Sequence, residues 1–168
     1  MGTIVDAVGM ALPGALLVAS VGAFLDGGVV GRVAGIAWAV RYVGAGEALR
    51  HPVQLYMALV LSIILAVVGF ASGLAVRKKW PTGTVGLLFF FLWFGAVFAL
   101  EFLVDNVVYW YGASANQWEA LLLFFAAVGA WYGYAGGKYV VRQYTESMKV
   151  RISRIMHNVY AKFSNKCS

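Results

Sequence analysis

Two long apolar segments constrain this chain more than any other feature. Residues 52–76 and 84–104 each supply the roughly 20 mainly apolar residues that an α-helix needs to cross a bilayer. The chain of 168 residues is 62% hydrophobic and only 12% charged, whereas soluble domains are about one quarter charged. Because lipid offers no hydrogen bonds to a bare backbone, such segments must be helical. The sequence therefore predicts an all-α integral membrane protein.

Two weaker apolar segments, 7–25 and 120–136, are predicted as further membrane spans. The first is glycine-rich and contains Pro13, and the second carries Trp131 and Tyr132 near one end. Glycine and proline are tolerated in membrane helices where neighbouring helices satisfy the freed backbone groups. The predicted fold is thus a bundle of about four transmembrane helices, with residues 1–137 as the membrane domain.

Basic residues follow the apolar spans, and the net charge is +6. In the tail, 138–168, apolar residues recur at helical spacing between basic ones, which predicts a basic amphipathic helix on anionic lipid; docking on a partner is the alternative. Because positive charges flank membrane spans, nucleic acid is not expected as a partner. The tail charges are Lys138, Arg142, Lys149, Arg151, Arg154, Lys162 and Lys166.

The distribution of these charges predicts the orientation. With four spans, the tail and the basic run 77–79 lie on one side of the membrane, and the loop 26–51 lies on the other. Cytoplasmic segments carry the excess of lysine and arginine. We therefore expect a multi-pass plasma-membrane protein with both termini in the cytoplasm and the 26–51 loop outside.

The 26–51 loop combines glycines with Arg32, Arg41 and Arg50. The planar guanidinium matches a phosphate, and glycines allow close approach of the backbone. The pattern predicts binding of an anionic phospholipid headgroup; the alternative is that these arginines only cap the loop or reach the membrane surface.

Two ionisable residues flank this loop in the predicted topology. His51, at the start of the second span, is a candidate acid or base, or merely an interfacial hydrogen-bonding residue. Glu101, near the end of the third span, is expected to pair with Arg32, Arg50 or His51, unless it faces lipid headgroups. Gln54 and Tyr56 lie one turn into the second span and would join this cluster. No ligand spacing typical of zinc is present, so neither a metal nor a cofactor is expected.

Three stretches resemble the prolipoprotein diacylglyceryl transferase family, whose members move diacylglycerol from phosphatidylglycerol onto a lipobox cysteine. Residues 22–32, GAFLDGGVVGR, are similar to the signature GRxxNFxNxExxG followed by a basic residue. Residues 38–41 and 50–58, WAVR and RHPVQLYMA, are similar to the loop and the HPxQLYEA helix start. Residues 93–104 are similar to YGxxRFxxEFxR, with Glu101-Phe102 on its Glu-Phe. The likeness covers about residues 6–136 and corresponds to the second half of the family.

The resemblance implies a site at the outer ends of the helices. It implies that Arg32 holds lipid phosphate and His51 handles protons, with Glu101 as the third candidate catalytic residue. The implied lipid-binding residues are Gly27, Gly31, Arg32, Arg41, Arg50, Gln54 and Tyr56.

Several charged or polar positions of the family pattern are changed here. Ala19-Ser20 replace the signature's opening Gly-Arg, Ala23 its Asn, Gly28 its Glu, and Val97 an arginine of the third stretch. Loss of one electrostatic stabiliser costs on the order of a hundred- to a thousand-fold in rate. We therefore expect impaired transfer. The alternative is a non-catalytic lipid-binding or scaffolding subunit that works with other membrane protein subunits.

Overall fold

The structure, a computed structural model, describes residues 2–105, 109–134 and isolated positions between 137 and 156. Its first three helices, the third together with the 3₁₀ turn that extends it, are long and apolar enough to cross a membrane, which confirms the predicted helical membrane fold. The fourth helix, of 19 residues, covers most of the fourth predicted span. The elements are α1 (Gly2–Asp26), α2 (Val53–Lys78), α3 (Thr84–Leu100) with its 3₁₀ turn (Glu101–Leu103), β1 (Tyr109–Trp110), β2 (Ala113–Ser114) and α4 (Ala115–Gly133).

The boundaries of α2 and α4 follow from local chemistry. α2 begins directly after Pro52, and it ends at basic residues before Lys79, whose left-handed φ of 51° closes the last turn. α4 begins with a capping box, in which the Ser114 hydroxyl accepts from the Gln117 amide and the Gln117 side chain accepts from the Ser114 amide. Both orphan donors are satisfied in this way, so the helix starts five residues before the apolar run.

The core lies where α2 faces α3. Ile64 and Val68 of α2 pack with Val85 and Phe89 of α3, and α1 adds partly buried leucines on the same cluster. α4 packs on the other side of α3, where the rings of Phe91 and Phe124 approach to 4.6 Å between centroids. α3 is therefore the central helix of the bundle.

At one end of the bundle, α1 is bound to the start of α3. The Asp6 carboxylate accepts hydrogen bonds from the amides of Gly83 (2.7 Å) and Gly86 (2.8 Å). A carboxylate is favoured at a helix N-terminus because the first amides have no intrahelical acceptor. The opposite end, which carries the 27–52 loop and the β1–β2 hairpin, is called the loop end below.

The predicted tail helix, 138–168, lies mostly outside the described residues. Those tail positions that are described, including Arg142, Thr145 and Lys149, have helical backbone. Lys149 pairs with Glu146 at 3.0 Å, one turn away. The amphipathic face, the lipid contact and the cytoplasmic placement of the tail stay predictions.

Candidate functional site

The 27–52 loop folds back on the ends of α2 and α3 through short backbone bridges. Gly31 pairs with Val104, and both Val33 and Val40 pair with Arg50. The Arg32 amide donates to Leu103 (2.8 Å), and the His51 amide donates to the Arg32 carbonyl (3.0 Å). Residues 31–33 therefore lie between the end of α3 and the segment that leads into α2.

Two glycines make this arrangement possible. A Cβ on Gly31 would overlap the carbonyl oxygen of His51 and lie 3.0 Å from its carbonyl carbon. Gly27 has a φ of +68°, in the left-handed region, and turns the chain at the end of α1. These glycines bring two parts of the protein backbone together; a lipid contact at either stays a prediction.

Arg32 is exposed, yet its guanidinium is held in place. Nε donates to the Val104 carbonyl (3.2 Å), and Nη2 donates to the Tyr109 hydroxyl (2.5 Å). The guanidinium carbon also lies 5.7 Å from the centroid of the Tyr109 ring, within cation–π distance. Among the described residues, no carboxylate lies within ion-pair distance, and Nη1 makes no hydrogen bond. Arg32 therefore presents an oriented positive charge with free donors.

The other two arginines of the loop have acidic partners. Arg41 pairs with Glu47 at 3.1 Å, and both side chains are largely exposed. Arg50 pairs with Asp105 at 2.6 Å, and its guanidinium also donates to the carbonyls of Gly31 and Ala45. Arg50 thus binds three parts of the loop end to one another.

His51 is oriented by aromatic neighbours. Its Nδ1 lies 3.2 Å from the Tyr56 hydroxyl, which also accepts a hydrogen bond of 2.8 Å from the Trp38 indole. A hydroxyl can donate one hydrogen bond and accept two, so with the Trp38 N–H as one donor the Tyr56 hydroxyl can either donate to Nδ1 or accept from it. Nδ1 is engaged in this way, and Nε2 makes no hydrogen bond among the described residues, so Nε2 is left for an outside group.

Gln54 connects α2 to the loop. Its amide nitrogen donates to the Val29 carbonyl, and its oxygen accepts from the Tyr42 hydroxyl at 2.9 Å. Burial, with a smaller contribution from nearby Tyr56, raises the pKa of Tyr42 above its usual value, so its hydroxyl stays a donor. Both the amide nitrogen and the oxygen of the Gln54 side chain are therefore hydrogen-bonded to the protein.

The Tyr42→Phe substitution tests this contact. We expect it to lower the free energy of unfolding by about 1–3 kcal/mol, because a buried acceptor on Gln54 loses its donor. The pKa of Tyr42 is raised in the folded protein, so the contribution is full below about pH 10 and is lost as the pH rises through the folded-state pKa. Chemical unfolding at neutral and alkaline pH measures both effects. A difference between wild type and variant that does not shrink at alkaline pH would contradict this account.

Glu101 lies buried between α3 and α4, with 8% of its surface exposed. Its carboxylate accepts from the Ser114 hydroxyl and the Asn116 amide, both at 3.0 Å. The acid that pairs with Arg50 is Asp105, not Glu101. Ser114 and Asn116 were missed in the sequence reasoning, although S-x-x-Q before an apolar run is a recognisable capping-box pattern.

The described residues contain no group of three or more His, Cys, Asp or Glu side chains that could hold a metal ion. Three of the predicted site residues, Arg32, His51 and Glu101, lie at the loop end and are held by hydrogen bonds to the protein. They can supply a cation, an imidazole and a buried carboxylate.

Comparison with known proteins identifies the family. The profile of the prolipoprotein diacylglyceryl transferase family matches residues 1–133. Phosphatidylglycerol–prolipoprotein diacylglyceryl transferases of Aeromonas salmonicida and Wolinella succinogenes are 35% and 33% identical over 100 and 99 residues, or 60% and 59% of this chain. That of Idiomarina loihiensis is 32% identical over 121 residues, or 69% of this chain.

These matches cover 35%, 34% and 44% of the three relatives, so the chain spans less than half of their length. The resemblance seen in the sequence is confirmed, and the chain belongs to the prolipoprotein diacylglyceryl transferase family.

Proposed function

We propose that this chain binds the headgroup of an anionic, phosphatidylglycerol-like phospholipid at Arg32. The observation that carries the proposal is the guanidinium of Arg32, which two hydrogen bonds orient and which no carboxylate of the described residues neutralises. The loop end then faces the outside of the plasma membrane, and both termini lie in the cytoplasm, as the distribution of basic residues indicates.

The geometry suits a phosphate. Charge-assisted hydrogen bonds from an arginine to a phosphate are short and strong, and an arginine that is already oriented loses little side-chain entropy on binding. Trp38 and Trp110 are 63% and 70% exposed at the same end of the bundle. Tryptophan prefers the level of the lipid headgroups, which supports a position of Arg32 near the lipid phosphates.

Diacylglyceryl transfer is the reaction named for the relatives. We propose that this chain carries out the same transfer at a reduced rate. In such a transfer the cysteine thiol loses a proton and bonds to the diacylglycerol carbon, while the bond from that carbon to the phosphate oxygen breaks and glycerol phosphate leaves. His51, whose backbone amide donates a hydrogen bond to the Arg32 carbonyl, is the base that accepts the thiol proton. Arg32 is left as the cation for the phosphate, since Val97 stands where the family pattern has an arginine.

The first test is lipid binding by the Arg32→Ala variant. Hydrogen bonds to charged groups contribute about 1.5–3 kcal/mol, so we expect about 10- to 100-fold weaker binding of phosphatidylglycerol. A titration of the detergent-solubilised protein with short-chain phosphatidylglycerol, followed by tryptophan fluorescence, measures the affinity. Arg77→Ala removes the same charge from the far end of α2 and is the matched control. Equal affinities of wild type and Arg32→Ala would refute the binding site.

The second test separates an enzyme from a non-catalytic lipid-binding protein. Purified protein is incubated with phosphatidylglycerol vesicles and a lipobox peptide, and release of glycerol phosphate and the mass of the peptide are measured. Release that disappears in Arg32→Ala supports transfer by this chain. Phosphatidylglycerol binding without any release supports the non-catalytic alternative.

A further inference from the structure

A groove remains open between α3 and α4, below the loop end. It has a volume of about 240 Å³, and Trp93, Phe94 and Val97 of α3 face Asn116, Glu119 and Leu123 of α4 across it. Asn116 already donates to Glu101, so its amide is engaged. Its walls are otherwise mainly apolar, and Glu119 contributes the one carboxylate of the lining.

Glu119 has no counter-charge among the residues that the structure describes. It is exposed, and among residues 2–105 and 109–134 no lysine, arginine or histidine lies within ion-pair distance of its carboxylate. It lies five residues after Ser114 in the sequence, or about 7.5 Å along the helix axis into the bundle. A carboxylate in the wall of a largely apolar groove is complementary to a group of opposite charge.

The size and chemistry of the groove define what can fill it. Sites for small ligands usually occupy about 300–1,000 Å³, so this groove is closer to the volume of one long side chain than to that of a lipid. Its apolar walls suit a flexible aliphatic stem, and the Trp93 ring and the Glu119 carboxylate suit a cationic head. An anionic lipid is excluded because Glu119 would repel its phosphate.

From this complementarity we infer that the groove receives a lysine or arginine side chain from a transmembrane helix of a partner membrane protein, and that Glu119 pairs with it. The contact is separate from the headgroup site at Arg32 and makes the chain one component of a membrane complex. Polar contacts between membrane helices are modest, so the pair contributes to specificity more than to total affinity.

The test uses a leucine-rich transmembrane peptide of about 20 residues with one arginine near its outer end. Energy transfer between the labelled full-length protein and the labelled peptide is measured in phosphatidylcholine vesicles. We expect the arginine peptide to associate about 3- to 30-fold more strongly than the same peptide with leucine at that position. Glu119→Gln should abolish this preference, and Asp26→Asn, which removes an exposed acid outside the groove, should retain it.

A second variant tests whether the groove itself receives the peptide while Glu119 is kept. Val97→Arg places a cation inside the groove, and it should block the arginine peptide while chemical unfolding shows that the variant is folded. Equal association of the two peptides, or an arginine preference that persists in Glu119→Gln, would overturn the inference. Loss of the preference on addition of phosphatidylethanolamine would also overturn it, because the lipid ammonium would then occupy the groove. Self-association of the protein that depends on Glu119 would overturn it as well. Phosphatidylglycerol binding by Glu119→Gln should match wild type, which distinguishes failure here from failure at Arg32.

Discussion

Replacing Gly86 with valine is expected to separate α1 from α3 and to leave little folded protein. A Cβ at Gly86 would overlap the carbonyl oxygen of Val5 and lie 2.5 Å from its carbonyl carbon. On the next turn of α1, a Cβ at Gly9 would in turn overlap the Gly86 Cα. Because the obstacle is backbone and not a side chain that can rotate, the helices must move apart.

That movement has a second cost. The Asp6 carboxylate reaches the Gly83 and Gly86 amides only while α1 lies against the start of α3. Overpacking usually costs about 1–3 kcal/mol, and with these two hydrogen bonds also strained we expect a loss of about 3 kcal/mol or more. Close backbone approach at small residues is a main source of helix association in membranes, so lipid would not compensate.

Unfolding of the purified protein in mixed micelles, followed by circular dichroism, measures this loss. Gly69→Val is the matched control, since a Cβ at Gly69 of α2 meets nothing within 4 Å. We expect the control to unfold within about 0.5 kcal/mol of wild type. A Gly86→Val protein as stable as this control would show that α1 does not pack on α3 as described.

Replacing Arg50 with alanine is expected to loosen the whole loop end. The change removes the partner of Asp105 and the donors to the Gly31 and Ala45 carbonyls. Loss of one member of a buried pair costs about 3–5 kcal/mol, but the Asp105 side chain is 53% exposed, so we expect about 2–3 kcal/mol. Arg32 and His51 lie on the loop segments that Arg50 connects, so lipid binding should weaken together with stability.

A double-mutant cycle with Asp105→Ala isolates the ion pair from the other hydrogen bonds of Arg50. We expect a coupling energy of about 1–2 kcal/mol, with Arg50→Ala costlier than Asp105→Ala because it also leaves two carbonyls without donors. Arg41→Ala breaks an exposed pair with Glu47 and should cost less than about 1 kcal/mol. If Arg50→Ala proved no more harmful than Arg41→Ala, Arg50 would have no structural role and would be free for lipid.

The sequence and the structure agree best for features that depend on interactions within one segment of the chain. The helices around residues 52–76 and 84–104 were predictable because a membrane helix satisfies its own backbone, so length and apolar content are sufficient. α4 begins at Ala115 rather than near residue 120, since the capping box of Ser114 and Gln117 extends the helix beyond the apolar run. Such a boundary depends on particular hydrogen bonds, which hydropathy does not register.

In the candidate site, too, some features could be predicted from the sequence and others depend on the fold. The arginines of the loop could be named from the sequence, but not which of them would remain unneutralised. Asp105 is 55 residues from Arg50, and Tyr109 is 77 residues from Arg32, so these partners meet only through the fold. The buried environment of Glu101 likewise depends on how α4 packs against α3.

By itself, then, the sequence determined that this is a helical membrane protein of the diacylglyceryl transferase family with basic residues at both ends of its spans. The tertiary structure alone decided that Arg50 is engaged with Asp105, that Arg32 is oriented and pairs with no carboxylate of the described residues, and that Glu119 faces an open groove. The physical reason is that apolar length and backbone hydrogen bonding act within a segment. Charge pairing acts between segments, and only their packing sets which charges meet.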